Sequence, residues 1–472
     1  MRALSLGIRK APWWIAVGLG LTLPGCPMTD DYFIAGAGGN APGNAATGGS
    51  AAGNTAVGGA TMGGSTSLAS CSSATCFGNC CGIACVDLTS DPSHCGACTT
   101  TCSGGKACAG GLCASGWTNL APPPIGFVAR EKAAYAAFGD KLFVFGGADA
   151  NGNALGDGAV YDPVTNRWRL VSVDVNTPRA RRLATAVWTG KLILVCGGRA
   201  DDAAVAYLDG AAYDPQSDQW TTIANSPTGR VAPIGFSSAT QAAFWGGWGT
   251  ASTLLSGDDR IDMTTNTWQS GLPTGDPGII DGPAWAFTGQ YLYMFGGRLG
   301  GTTKSSQAWS FNLASNSWSN LAAITGPSLI SARWGAFGTW DGAAFYVWGG
   351  RDETSAKNNG QFYSGGFWTA SVQQGAPSGR WVPYRQSGWA FARAAGDLLF
   401  LGGQDFADKF LTDGARYNTG LGATAASWSP IPAWKSGEAH QWGVAAYVGG
   451  AVIVWGGRNG TVLTTTGDRW AP

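Results

Sequence analysis

The chain reads as an all-β protein, a closed ring of seven four-stranded blades. It is preceded by an export segment, a low-complexity linker and a small cysteine-rich module. Three observations predict this organisation. A Gly-Gly pair closes a short apolar run seven times, at Gly146-Gly147, Gly197-Gly198, Gly246-Gly247, Gly296-Gly297, Gly349-Gly350, Gly402-Gly403 and Gly456-Gly457. Successive pairs lie 49 to 54 residues apart. A Trp recurs at a fixed place between them, in a chain that holds 23 Trp. Self-similarity at this period marks a repeat architecture, because each unit is one supersecondary element whose apolar faces are buried only against its neighbours.

Each repeat is legible in order. The run before a glycine pair, such as Leu142 to Phe145, Leu192 to Cys196 or Val452 to Trp455, has the length and composition of a buried strand. An earlier strand joins it through a tight turn such as Gly139-Asp140 or Gly449-Gly450, whose residues supply the positive φ angles of two-residue hairpins. After the pair comes a variable polar loop, then a third strand ending in Tyr161-Asp162, Tyr213-Asp214, Ile261-Asp262, Phe311-Asn312 or Tyr417-Asn418. A turn then leads to a Trp in the fourth strand: Trp168, Trp220, Trp268, Trp318, Trp368 or Trp428. Trp117-Thr-Asn-Leu120 is a fourth strand with no blade before it, and the last repeat stops at Trp470-Ala-Pro472. Adding the first strand to the last blade closes the ring and leaves no open sheet edge. Six blades with one degenerate repeat is the alternative count.

The glycine pairs, Tyr161-Asp-Pro-Val-Thr-Asn-Arg-Trp168 and Tyr213-Asp-Pro-Gln-Ser-Asp-Gln-Trp220 together resemble the Kelch-repeat β-propeller family over residues 117–472. Repeat three departs from the pattern with Ile261 in place of Tyr. Repeat five departs with Gln361-Phe-Tyr-Ser-Gly-Gly-Phe-Trp368, which has no Asp-Pro turn. The resemblance implies the fold and leaves the activity open, since Kelch propellers include enzymes, adhesins and protein-binding platforms.

Residues 1–25 have the layout of a secretory signal peptide. Arg2, Arg9 and Lys10 precede an uncharged apolar stretch from Ala11 to Leu23 that is too short for a stable membrane span. Leu23-Pro-Gly-Cys26 resembles the bacterial lipobox, which implies lipidation of Cys26, attachment to a membrane and, with Pro27 following, the outer membrane or cell surface. A plain signal peptide with a chance cysteine is the alternative. Residues 26–70 form the lipidated N-terminus and a Gly/Ala/Asn/Ser-rich tether, with no charge between Ala35 and Ser70. Such a chain cannot offset its ordering entropy, and it spans roughly 30–36 Å. Within residues 71–116, ten cysteines (Cys71, Cys76, Cys80, Cys81, Cys85, Cys95, Cys98, Cys102, Cys108 and Cys113) read as a disulfide framework. Zinc is disfavoured there, because export favours oxidation and His94 is the one nearby histidine. Cys196, inside an apolar run, reads as an inert core thiol.

No cofactor or metal is expected, and no catalytic set stands out. Copper radical oxidases of this fold need two histidines, whereas the chain has His94 outside the propeller and His440 inside it. His440 itself reads as a solvated loop residue. Lys+Arg 29 against Asp+Glu 29 argues against nucleic acid as a partner. Strand direction brings the loop entering strand one and the loop leaving strand two to the same face, and arginines populate both. Arg199, Arg298, Arg351 and Arg458 follow glycine pairs, while Arg130, Arg179, Arg181, Arg230, Arg333 and Arg380 precede or open first strands. With Trp248 and Trp334, these residues are the candidates for binding a glycan or protein ligand. Pairing of the arginines with Asp149, Asp201, Asp202, Asp258, Asp259, Asp352, Glu353 and Asp405 is the structural alternative. The leading expectation is a surface-anchored binding or adhesion module. A sugar epimerase or mutarotase and a structural envelope protein are the alternatives.

Overall fold

The computed structural model describes residues 79–81, 84–86, 88, 91, 93–101, 107–109, 112–114 and, with interruptions at 203–204, 322–329, 372, 374, 383–387, 395 and 420–426, residues 116–471. The export segment, Cys26, the tether, Cys71, Cys76 and Cys102 lie outside the described residues. No helix of the described residues is long and apolar enough to cross a membrane.

The described residues form seven four-stranded antiparallel sheets. Blade 1 runs Ala134–Phe138, Lys141–Phe145, Gly158–Asp162 and Arg167–Leu170, with Ala134 opposite Phe145, Leu142 opposite Tyr161 and Tyr161 opposite Trp168. The next five blades repeat this order from Thr185 to Ile431. Blade 7 is composite: Val444–Val448, Ala451–Trp455 and Gly467–Ala471 pair on to the N-terminal strand Gly116–Asn119, with Trp470 opposite Trp117. The chain therefore closes its ring with the strand that precedes its first full blade, which supplies the outer strand of the last blade and covers the edge of Gly467–Ala471.

Burial follows the seams. Seven apolar clusters each join two adjacent blades, from Val144, Leu142 and Ile453 at the seam of blades 7 and 1 to Leu399, Leu401 and Val454 between blades 6 and 7. The fourth-strand tryptophans are wedges in these seams. Trp220 is 2% exposed, lies 5.1 Å from Phe145, and donates its indole N–H to Ser172 O. Burying a ring of this size, with its N–H satisfied, is among the largest single contributions an apolar seam receives. Cys196 sits in the seam of blades 2 and 3, where burial pushes its thiol up to about 12.

Turn chemistry sets the blade edges. Asp162 Oδ1 accepts from the backbone N–H groups of Val164 and Thr165, and Asn166 takes φ 51° at the turn's end. Asp218, Asn266 and Asn316 take the same conformation in blades 2 to 4. Repeat five reaches the same four strands by another route. Gly365 (φ 59°) and Gly366 (φ 87°) make the two-residue turn between Gly360–Ser364 and Phe367–Ala370.

Candidate functional site

The glycine pairs and the arginines are two halves of one device. At Gly146 (φ 67°) an added Cβ would lie 2.5 Å from the carbonyl oxygen of Arg181 in the next blade, so no side chain fits. Gly147 N–H donates to that same carbonyl, and the stitch recurs as Gly198 to Arg230, Gly297 to Arg333, Gly350 to Arg380 and, closing the ring, Gly457 to Arg130. Each of these arginines then turns its guanidinium back into its own blade. Nη1 donates to the first glycine's carbonyl: Gly146 from Arg130, Gly197 from Arg181, Gly246 from Arg230, Gly349 from Arg333 and Gly402 from Arg380. The same guanidinium also donates to a residue near the start of the third strand, namely Asp157, Asp209, Asp259, Asn359 or Asp413.

These five arginines are between 0 and 6% exposed. Arg130, Arg230 and Arg333, expected at a ligand-facing mouth together with Arg181 and Arg380, are thus corrected to internal clasps. Their planar forks are filled by carbonyls and carboxylates of the protein itself. Arg179 stays exposed, sharing Asp209 with Arg181 and lying over the Tyr207 ring at 4.0 Å.

His440 is the second correction. It is fully buried and occupies the clasp position of blade 7. Its Nδ1 lies 2.8 Å from Gly456 O, and its Nε2 lies 3.4 Å from Asp468 Oδ2. Ser436 Oγ donates to the same carboxylate at 2.5 Å. This set does not fit acyl transfer: a backbone carbonyl, not a carboxylate, occupies Nδ1, and the serine hydroxyl is spent on Asp468. Burial raises the Asp468 carboxyl, and the hydrogen bonds from His440 and Ser436 outweigh it and hold the group below its ordinary range.

In each blade the residue after the clasp position, which Ile280 fills in blade 4, faces the residue after the glycine pair across a short bridge, and these couples form the loop face. They are Glu131 with Ala148, Arg182 with Arg199, Val231 with Trp248, Asp281 with Arg298, Trp334 with Arg351, Trp381 with Gln404, and Gln441 with Arg458. Their surroundings differ by sector. Arg199 is 1% exposed and shares Asp202 with Arg182, while Trp248 packs with Val231 and Leu254. Arg458 reaches across the closing seam to Glu131.

Blades 4 to 6 carry a ladder instead. Arg298, paired with Asp281, lies over the Trp334 ring at 4.5 Å. Arg351 lies 5.7 Å from Trp334, 4.5 Å from Trp381 and 5.0 Å from the exposed Phe406, and pairs with Asp408 at 3.1 Å. Trp334 and Trp381 meet edge to face at 4.7 Å. Arg298 and Arg351 keep 28% and 19% of their side chains in solvent, unlike the clasps. Trp381 and Phe406 did not stand out in the sequence. Their signal is positional, one residue after a clasp and three after a glycine pair.

Two further groups bear on chemistry. Asp258, on the third strand of blade 3, is buried beside Arg260, and burial pushes its carboxyl up to about 6 against the pull of Arg260 and Arg230. It lies on a strand two removed from the inner one, apart from the bridged couples of the mouth. In the cysteine-rich segment, Cys81 and Cys98 form a disulfide, Cys95 is disulfide-bonded as well, and His94 Nδ1 is 3.0 Å from Asp91.

Comparison with known proteins agrees with the repeat. Residues 111–242 match the KLHDC2/KLHL20/DRC7 Kelch-repeats domain. The chain is 37% identical over 87 residues to F-box protein AFR of Arabidopsis thaliana, covering 18% of this chain and 22% of that protein. It is 30% identical over 125 residues to Kelch-like protein terF of Aspergillus terreus, covering 24% of this chain and 26% of that protein. It thus spans about a quarter of the length of these relatives. Among solved structures, that titled "Structure of YjhT" aligns with a TM-score of 0.47 at 15% identity, over 66% of this chain and 99% of that one. The matched segment, residues 111–242, thus carries repeats of Kelch type.

Proposed function

We propose that this protein is a surface-anchored binding module that takes an anionic ligand, an acidic glycan or an acidic protein segment, on the loop face of blades 4 to 6. One observation carries the reading: the arginines divide into a buried set spent inside the blades and a partly exposed set, Arg298 and Arg351, laddered with Trp334 and Trp381. Guanidinium groups set over aromatic rings at the surface are suited to a carboxylate or sulfate that adds to or displaces their carboxylate partners Asp281 and Asp408, and the rings add an apolar wall. A small interface gains most from anchors of this kind. The module's place outside the membrane is part of the same proposal. It is supported by the apolar N-terminal segment, the lipobox-like Leu23-Pro-Gly-Cys26, and a disulfide suited to an oxidising compartment.

The enzyme alternative calls for a carboxyl of raised pKa within the funnel. Burial raises two carboxyls, Asp258 on a third strand of blade 3 and Asp276 in the loop after that blade, where Trp245 Nε1 and the Gly278 N–H donate to it; neither belongs to the ladder of blades 4 to 6, which favours binding there over catalysis.

The test uses the full chain on an array of acidic and neutral glycans and acidic peptides, in parent form and with Arg298→Ala and Arg351→Ala combined. The expected outcome is retention of at least one acidic class, weakened about tenfold or more in the double variant and weakened by added salt. Equal retention by parent and double variant, or retention of no acidic class, overturns the reading.

A further inference from the structure

A second surface lies at the other end of the blades, where the hairpin turns emerge. Between blades 1 and 2 the turn end opens into a cleft of about 600 Å³, within the range of small-ligand sites. Its origin is a cross-strand row. Phe138, Lys141, Asp162 and Arg167 stand opposite one another across the four strands of blade 1 and point to the side facing blade 2. Blade 2 supplies Trp188, 5.5 Å from Phe138, and the Pro215-Gln216 turn. The corresponding positions elsewhere carry different chemistry, Asp214 with Gln219 in blade 2 and Asn312 with Ser317 in blade 4.

The charges of the cleft balance once Asp218 is counted against Arg169, but they are not all paired. Three cations line it, Lys141, Arg167 and Arg169, against two carboxylates, Asp140 and Asp162. Lys141 is held by both carboxylates, at 2.9 Å and 3.4 Å, and Arg169 by Asp218 at 2.7 Å. The Arg167 side chain is exposed and makes no ion pair or hydrogen bond among the described residues. The indole N–H of Trp188 likewise has no protein partner among them. The cleft therefore offers an aromatic wall, one uncommitted bidentate cation, and carboxylates with spare acceptor positions.

A sugar ring matches that combination: one C–H face for the aromatic wall, and hydroxyls at its rim to donate to carboxylates. An aromatic acid supplies the ring and the charge but none of the donors. We propose that this cleft is a second binding site, on the face opposite the loop mouth, for an acidic saccharide. One hexuronate ring packs on Trp188 and Phe138, its carboxylate meets the fork of Arg167, and its hydroxyls donate to Asp140 and Asp162. The site stands independently of the loop-face reading.

Calorimetric titration of the full chain with digalacturonate tests this. Cellobiose serves as the uncharged counterpart and a short oligoglutamate as an acidic peptide competitor. Saturable binding of digalacturonate is expected, weakened about tenfold or more by Arg167→Glu and by Trp188→Ala, and unchanged in the loop-face double variant. Arg167 is exposed, so its variant keeps the fold even if loss of Trp188 disturbs the seam. No saturable binding by the parent, binding unaffected by Arg167→Glu, equal binding of cellobiose, or equal competition by oligoglutamate each overturns the proposal. Loss of digalacturonate in the loop-face double variant alone places the saccharide at the mouth and overturns it too.

Discussion

Arg181 shows what a clasp contributes. Its fully buried guanidinium serves Gly197 O, Asp209 O and the Asp209 carboxylate, while its own carbonyl accepts from Gly147 of the preceding blade. Truncation strands two carbonyls under the loops and leaves the Asp209 carboxylate to Arg179 alone, so Arg181→Ala is expected to cost about 2–4 kcal/mol in denaturant unfolding. Lysine restores charge without the fork and is expected to recover only part of this. Arg298→Ala, at a partly exposed pair, is expected to cost about 1 kcal/mol or less. Equal losses at the two positions would remove the distinction between clasp and ladder. The two sets hold different places in the repeat, the clasps ahead of first strands and Arg298 and Arg351 directly after glycine pairs, but neither place says where the side chain goes. The path of the guanidinium, inward at Arg130 and Arg181 and toward the loop face at Arg298 and Arg351, is set by the partners that the fold brings to it. His440 was misread for the same reason: nothing local says that a histidine after Glu438-Ala439 fills an arginine's place.

At the scale of the element, the glycine pair and the closing strand were the most legible parts. The pair is forced by two positive φ angles and by the next blade's carbonyl at van der Waals distance, requirements only glycine meets. The strand Gly116–Asn119 was visible because an orphan Trp-containing segment stood before the first repeat and an incomplete repeat stood at the end. Its Trp117 packs against Trp434 and Trp470 and donates to Pro432 O at 2.7 Å. Trp117→Ala is expected to lower stability by about 3–5 kcal/mol. It is also expected to increase light scattering on heating, because the freed edge of Gly467–Ala471 pairs with other chains. Thr118→Ala, whose side chain faces solvent, is expected to stay within about 0.5 kcal/mol of the parent. A Trp117→Ala protein as stable as the Thr118→Ala one would show that the ring does not depend on this seam. Repeat five looked aberrant in sequence because a Gly-Gly turn replaces the Asp-Pro turn, yet both chemistries deliver the same hairpin geometry.

Across the whole molecule, carboxyls displaced in opposite directions shape how stability varies with pH. Asp468 is held below its ordinary range, as is Asp218, at about 2, where burial is outweighed by hydrogen bonds from Ser172, Tyr213 and Arg169. Groups lowered on folding stabilise above the ordinary carboxylate pKa, and that contribution fades as pH falls through their folded values. Asp258 works the other way. Raised to about 6, it favours the fold below its ordinary pKa, and this contribution disappears as pH climbs through about 6. Asp258→Asn is therefore expected to gain on the parent by on the order of 2–3 kcal/mol between pH about 4 and about 7. Urea unfolding at the two pH values measures this. A difference between the two proteins that does not change with pH would show that Asp258 is ionised throughout.

The sequence by itself determined the all-β repeat, its period, the tryptophan wedges and the strand that closes the ring. Each of these is a backbone requirement that few residue types satisfy, written locally and repeated. Only the tertiary structure decided which arginines are clasps, that His440 stands in for one, and that two different surfaces lie at opposite ends of the blades. Those outcomes depend on which side chains from neighbouring repeats meet in space, and a repeat of about fifty residues puts the same letters in both roles. The loop-face ladder and the blade 1 row became visible when neighbouring blades were brought into register. There, Trp334 receives Arg298 from the blade before it, and Trp188 closes over Phe138 from the blade after.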